Sequence, residues 1–139
     1  MSASPGPGPA RPFSVWLLYL IHFVQGAAVI FATVSEVLLS DAEVLDTAGQ
    51  IALLVLYLLA GVVLILLGFR LFLGSAAART PAMVLQLLMV VLSFSFFAGG
   101  VWVVGLTFLV PAAVALVLLF IRPTQQWLEG TAEPDQQSA

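Results

Sequence analysis

His22 is the only histidine among 139 residues, and it stands inside an uncharged run reaching from Arg11 to Glu36. Counted from Arg11 at 1.5 Å per residue, it lies about 16 Å along a helix, near the middle of a bilayer. A polar group at that depth is a candidate for carrying a proton or a solute. At 100° per residue, Gly26, Val29, Thr33 and Glu36 project within roughly 40° of it, so one face of this segment carries His, Gly, Val, Thr and Glu. The competing reading is a neutral imidazole that hydrogen-bonds to a neighbouring helix and ties the bundle together. The second reading is the one expected.

Other polar side chains in uncharged runs are Gln25, Gln86, Ser93 and Ser95, with Tyr19, Tyr57 and Thr107. Gln86 and Ser93, seven apart, share a helix face with Gly100, whereas Ser95 points away. Counted from the nearest arginine on one side of the membrane, His22 lies 11 residues in, Tyr57 13, Ser93 14 and Thr107 15. These depths agree within about 6 Å. They predict an intramembrane polar layer of His22, Gln25, Tyr57, Ser93 and Thr107, with His22 touching at least one of the last three. Glu36, 25 residues past Arg11, falls about 37 Å along, beyond the hydrocarbon. It is a candidate acid at the outer mouth, too shallow to resemble the coupling carboxylate of small multidrug exporters.

Several chemistries are excluded. The chain has no Cys, which removes thiolate nucleophiles, disulfides and Cys-based metal sites. One His and no neighbouring acid leave no nucleophile, base and orienting group together, and no catalytic, metal or cofactor residue is expected. Four Arg, no Lys and seven acids give a net charge of −3, without the basic patch that nucleic acid requires.

The elements that must hold these residues follow from composition and charge placement. The chain is 62% hydrophobic and 8% charged, too few charges for a water-soluble surface. Charge-free runs separate Arg11 from Glu36, Asp46 from Arg70, and Arg79 from Arg122. The first two each fit one span of about 20 residues; the third would be about 60 Å long and must fold back, at Gly99-Gly100. The predicted fold is all-α, a polytopic membrane protein with four transmembrane helices in an up-down bundle. The spans are expected near 13–36, 49–70, 81–99 and 102–121, within a membrane domain of 13–122. Residues 1–12, rich in Pro and Gly, and the polar segment 123–139 are expected to be disordered cytoplasmic tails.

Local signals agree with this division. Thr47-x-x-Gln50 is a capping box ahead of the second span. Thr80 and Pro81 offer an N-cap and a first-turn proline for the third. Ser40-x-x-Glu43 is a further capping box, expected to open a short interfacial helix. Pro111 is expected to bend the fourth span. Ala28-x-x-x-Ala32 and the pair Gly61 and Gly68 are small-residue packing signals. Arg11 with the run to Val24 and Gly26-Ala27-Ala28 is similar to a signal peptide, but the apolar stretch continues through Ile30-Phe31, which favours a span.

Arg11, Arg70, Arg79 and Arg122 all fall on one side, and Asp41, Glu43 and Asp46 on the other. The positive-inside bias therefore puts both termini in the cytoplasm. Arg70 and Arg79 bracket an inner loop and are candidate contacts for lipid headgroups.

The pattern Arg79-Thr-Pro-Ala-Met-Val-Leu-Gln86-Leu-Leu, then Gly99-Gly100, Gly105 and the terminal Leu-Phe-Ile-Arg122-Pro123-Thr, resembles small four-span integral membrane proteins common in actinobacteria. The resemblance implies a bacterial plasma membrane and brings no catalytic residue. The expected function is a non-enzymatic accessory or interaction subunit, whose partners are the lipid bilayer and either other membrane proteins or a second copy. The alternative is a small oligomeric transporter or channel using the polar face of the first helix (His22, Thr33, Glu36).

Overall fold

The computed structural model describes residues 10–39 and 46–137, with side chains as far as Gly130. Five helices follow in order: α1 (Phe13–Leu39), α2 (Thr47–Phe72), α3 (Arg79–Ala98), α4 (Trp102–Phe120) and α5 (Arg122–Gln137). The first four are long and apolar enough to cross a membrane, and there is no strand among the described residues. The chain is an all-α, four-span bundle. Residues 40–45, which hold the Ser40-x-x-Glu43 box, lie outside the described residues.

Two antiparallel hairpins, α1–α2 and α3–α4, make the bundle, with the most extensive packing inside each hairpin. Helices α1 and α2 have 27 and 26 residues and α3 and α4 have 20 and 19. The first pair therefore overhangs the second by about 10 Å, at the end away from the arginines.

Both turns at the ends of α2 and α3 use one glycine in the left-handed region. After α3, Gly100 has φ +78°, and Val101 N–H and Gly100 N–H donate to Phe96 O and Phe97 O at 2.9 and 3.0 Å. After α2, Gly74 has φ +87°, and Ser75 and Gly74 donate to Arg70 O and Leu71 O at 2.9 and 3.0 Å. Each is a Schellman end, which satisfies carbonyls that would otherwise be orphaned.

Three local expectations change. The N-cap of α2 is Asp46, not Thr47: its carboxylate accepts from Gly49 N–H at 3.1 Å. Asp caps as well as Thr, and here it stands one residue earlier. Helix α3 begins at Arg79 without a Thr80 cap, because a 3-10 turn at Ala76–Ala78 feeds straight into it. Pro81 still sits in the first turn, where its missing N–H has no intrahelical partner to lose. The polar segment after Pro123 is not an irregular tail at its start: α5 buries Thr124 and Leu128. Helix α4 runs through Pro111 without interruption.

Near the arginines, Leu18, Leu71, Ala82, Ala115, Leu119 and Leu128 form one core layer. Further along, Leu64, Met89 and Ala112 form a second, flanked by Val29 and Phe108. Between α1 and α2 the backbones nearly touch. A Cβ at Gly26 would lie 2.5 Å from Gly61 O, and one at Gly68 would lie 2.6 Å from His22 Cβ. By contrast Ala28 and Ala32 are exposed, so their small-residue signal is not used within the fold.

Candidate functional site: a buried amide and imidazole cluster

The close approach of Gly68 behind His22 turns the imidazole toward α3. There it meets Gln86, one turn past Ala82 just as His22 is one turn past Leu18. His22 and Gln86 are wholly buried and Gln25 nearly so.

His22 Nδ1 lies 2.9 Å from Leu18 O. A carbonyl can only accept, so the hydrogen-bond pattern assigns the ring proton to Nδ1 and leaves Nε2 as an acceptor. Gln86 Nε2 supplies the donors, at 3.3 Å to His22 Nε2 and 2.8 Å to Gln25 Oε1. Gln25 Nε2 returns a hydrogen bond to Gln86 Oε1 at 3.3 Å. Both amide hydrogens of Gln86 thus have acceptors, and the two glutamines pair reciprocally. The cluster is neutral in this arrangement. In a low-dielectric interior a satisfied network of this kind holds its helices in one register, whereas a half-satisfied one is costly.

The remaining residues of the expected layer are not brought together with His22. Ser93 is buried, seven residues past Gln86, and its hydroxyl donates to Val90 O on its own helix. Thr107 is exposed and donates to Val103 O at 2.8 Å. Thr33 does the same to Val29 O at 2.7 Å. Hydroxyls in helices commonly satisfy themselves on the preceding turn, which removes their need for another helix. Tyr57 lies eleven residues before Gly68, the neighbour of His22, so it stands about 16 Å from the imidazole level. Its ring is half exposed. Glu36 is exposed near the far end of α1, and Ser95 is exposed as its spacing predicts.

At the arginine end the organising residue is Arg11. Its Nε donates to Phe72 O at 3.1 Å, and its guanidinium lies 4.3 Å from the Phe72 ring and 5.6 Å from the Trp127 ring. Trp16 meets Phe72 edge-on at 4.7 Å. Helix α5 closes this end: Thr124 Oγ1 donates to Ser14 Oγ at 2.9 Å, and Trp127 Nε1 to Leu71 O at 3.3 Å. Arg70 is exposed, as a headgroup contact would need. Arg79 is partly buried, with its guanidinium 5.7 Å from the Phe120 ring and its Nε buried without a partner. Thr124, Trp127 and Leu128 stand at i, i+3 and i+4, the spacing that could have identified α5 as a packed amphipathic helix.

Among the described residues no group of three or more His, Cys, Asp or Glu could hold a metal ion. Compared with known protein families, curated proteins and solved structures, the chain matches none.

Proposed function

We propose that this chain is a non-enzymatic accessory or interaction subunit of the plasma membrane, with both termini in the cytoplasm. The observation that supports this reading is the closed cluster of His22, Gln25 and Gln86. Its hydrogen bonds join α1 to α3, and polar groups engaged in this way act as structural glue between membrane helices. The stripe of His22, Thr33 and Glu36, which the alternative reading assigns to a solute, does not continue as a buried path within this chain, because Glu36 is exposed and Thr33 bonds to its own backbone.

The orientation belongs to the same proposal. Four arginines at one end and the acids of the first connection at the other follow the positive-inside pattern. Exposed Arg70 is then at the level of cytoplasmic headgroups. A bacterial membrane, the setting implied by the resemblance of the Arg79–Leu88 motif, completes the reading.

Two measurements test it. Purification of the full chain in mild detergent should bring down a bound membrane protein or a second copy. Reconstituted in liposomes under a pH gradient, the protein should carry no flux. Flux that vanishes in His22→Ala would overturn the proposal in favour of a transporter.

A further inference from the structure

Phe72, the last residue of α2, has three hydrogen-bond donors gathered around its ring. The Arg11 guanidinium lies 4.3 Å from the ring centre, the Trp16 ring 4.7 Å and the Tyr19 ring 5.2 Å. Arg11 uses its Nε on Phe72 O, and that bond together with the stacking fixes the plane of the guanidinium. Its two Nη groups, Trp16 Nε1 and Tyr19 Oη have no hydrogen-bond partner among the described residues. All can be reached from outside: Arg11 and Trp16 are exposed, and the Tyr19 hydroxyl is not a buried atom.

The level of this group follows from the shorter hairpin. Helices α3 and α4, of 20 and 19 residues, rise about 30 Å each and just cross the hydrocarbon. Their ends at Arg79 and Phe120 therefore mark its edge. Leu18 packs in one layer with Ala82 and Leu119, within a turn of those ends. Trp16 and Tyr19, on either side of Leu18 in sequence, thus stand near the edge of the hydrocarbon. Helical side chains lean toward the N-terminus, which carries the Tyr19 ring outward. Arg11, ahead of the helix, stands among the headgroups. Deeper in, Phe23 touches the Tyr19 ring at 6.1 Å, and Phe69 lies three residues before Phe72; both are about half exposed.

We propose that this group binds one glycerophospholipid of the leaflet at the arginine end. The Arg11 Nη groups donate to its phosphodiester, a pairing for which the guanidinium fork is shaped. Trp16 Nε1 and Tyr19 Oη donate to its ester carbonyls, and its acyl chains run along Phe23 and Phe69. The order of the groups selects a lipid. A charged donor lies outermost, neutral donors lie beneath it and apolar rings lie deepest, which is the order of phosphate, esters and chains. A soluble phosphate would meet Arg11 alone. The site requires neither the orientation nor the protein partner proposed above.

Native mass spectrometry of the full chain, purified in detergent and stripped of lipid, tests the site. Dioleoyl phosphatidylglycerol should bind as a single adduct. Dioleoylglycerol, which has the same esters and chains but no phosphate, should bind at least about 10-fold more weakly, and inorganic phosphate should not compete. Tyr19→Phe and Trp16→Phe keep a ring against Phe72 and should each weaken the phospholipid about 2- to 10-fold, the effect of one hydrogen bond. Arg11→Gln should weaken it at least about 10-fold, because its hydrogen bonds are charge-assisted. Arg122→Gln removes an equally exposed charge at the same end and should leave binding unchanged. Equal losses in Arg11→Gln and Arg122→Gln would overturn the proposal in favour of attraction by net charge. Wild-type affinity in both Tyr19→Phe and Trp16→Phe would overturn it whether or not Arg11→Gln folds. Competition by inorganic phosphate would assign Arg11 to a soluble anion instead.

Discussion

The carbonyl oxygen of Gly61 occupies the place where a side chain on Gly26 would begin. A Cβ at Gly26 would lie 2.5 Å from that oxygen, and one at Gly61 would lie 2.9 Å from Gly26 O. Each residue thus excludes a side chain at the other, and α1 and α2 meet backbone to backbone. The imidazole of His22 depends on this seam, because the same approach continues to Gly68, two turns on along α2.

Gly26→Ala and Gly61→Ala should each destabilise the bundle by about 1–3 kcal/mol, the range for overpacking a tight site. Backbone oxygens cannot swing aside as a side-chain tip can. Gly130→Ala, with nothing within 4 Å of the new methyl, is the control and should be close to neutral. Denaturation in mixed micelles gives the comparison; an unperturbed Gly26→Ala would show that the helices separate freely.

Gln86→Leu should cost about 1–3 kcal/mol, because it leaves His22 and Gln25 both buried without the amide they share. His22→Leu removes one interhelical hydrogen bond and should cost about 0.5–2 kcal/mol. Since the residues act as one network, the double variant should cost less than the sum of the two. Additive losses in the same denaturation assay would mean that the cluster is not coupled.

The two glycines of the α3–α4 turn should behave oppositely. Gly100 has φ +78° and open space around it, so Gly100→Ala meets backbone strain alone, about 1–2 kcal/mol. Gly99 has φ −80° and its nearest contact would be 3.5 Å away. Gly99→Ala should be neutral or slightly stabilising, through the unfolded chain. Equal losses at both positions would contradict the turn geometry.

Asp46→Cys should label with an impermeant thiol reagent in intact cells, and Ser75→Cys only after lysis. Labelling of Ser75→Cys from outside would reverse the proposed orientation. Asp46 caps α2, so Ala48→Cys serves as a second outer position that leaves the cap in place.

The number of spans was legible because charge is excluded from hydrocarbon, and three charge-free runs leave few ways to cross it. The α3–α4 turn was legible because Gly100 needs positive φ. The partner of His22 was not, and the error has a definite size. Levelling Arg11 with Arg79 sets α1 and α3 in a register of 68 residues, whereas Leu18 with Ala82 and His22 with Gln86 are 64 apart. The difference is about one helical turn. Arg11 lies ahead of α1 and bends to the Phe72 carbonyl, while Arg79 is the first residue of α3. Arginines mark a membrane boundary only to within the reach of their own side chains. Ser93 consequently replaced Gln86 in the expected layer. Thr107 was included on depth alone, although a threonine in a helix can satisfy itself on its own backbone.

Ser14 and Thr124 join hydroxyls across 110 residues of chain. At about 5–20 residues per second of synthesis, α1 is in existence for roughly 5–20 s before its partner has been made. All four spans are complete by Phe120, but Leu128, which fills the layer of Leu18 and Leu71, comes eight residues later. A nascent chain halted between those points holds every crossing and lacks its seal. The arrival of α5 is thereby registered in the packing of the first helix.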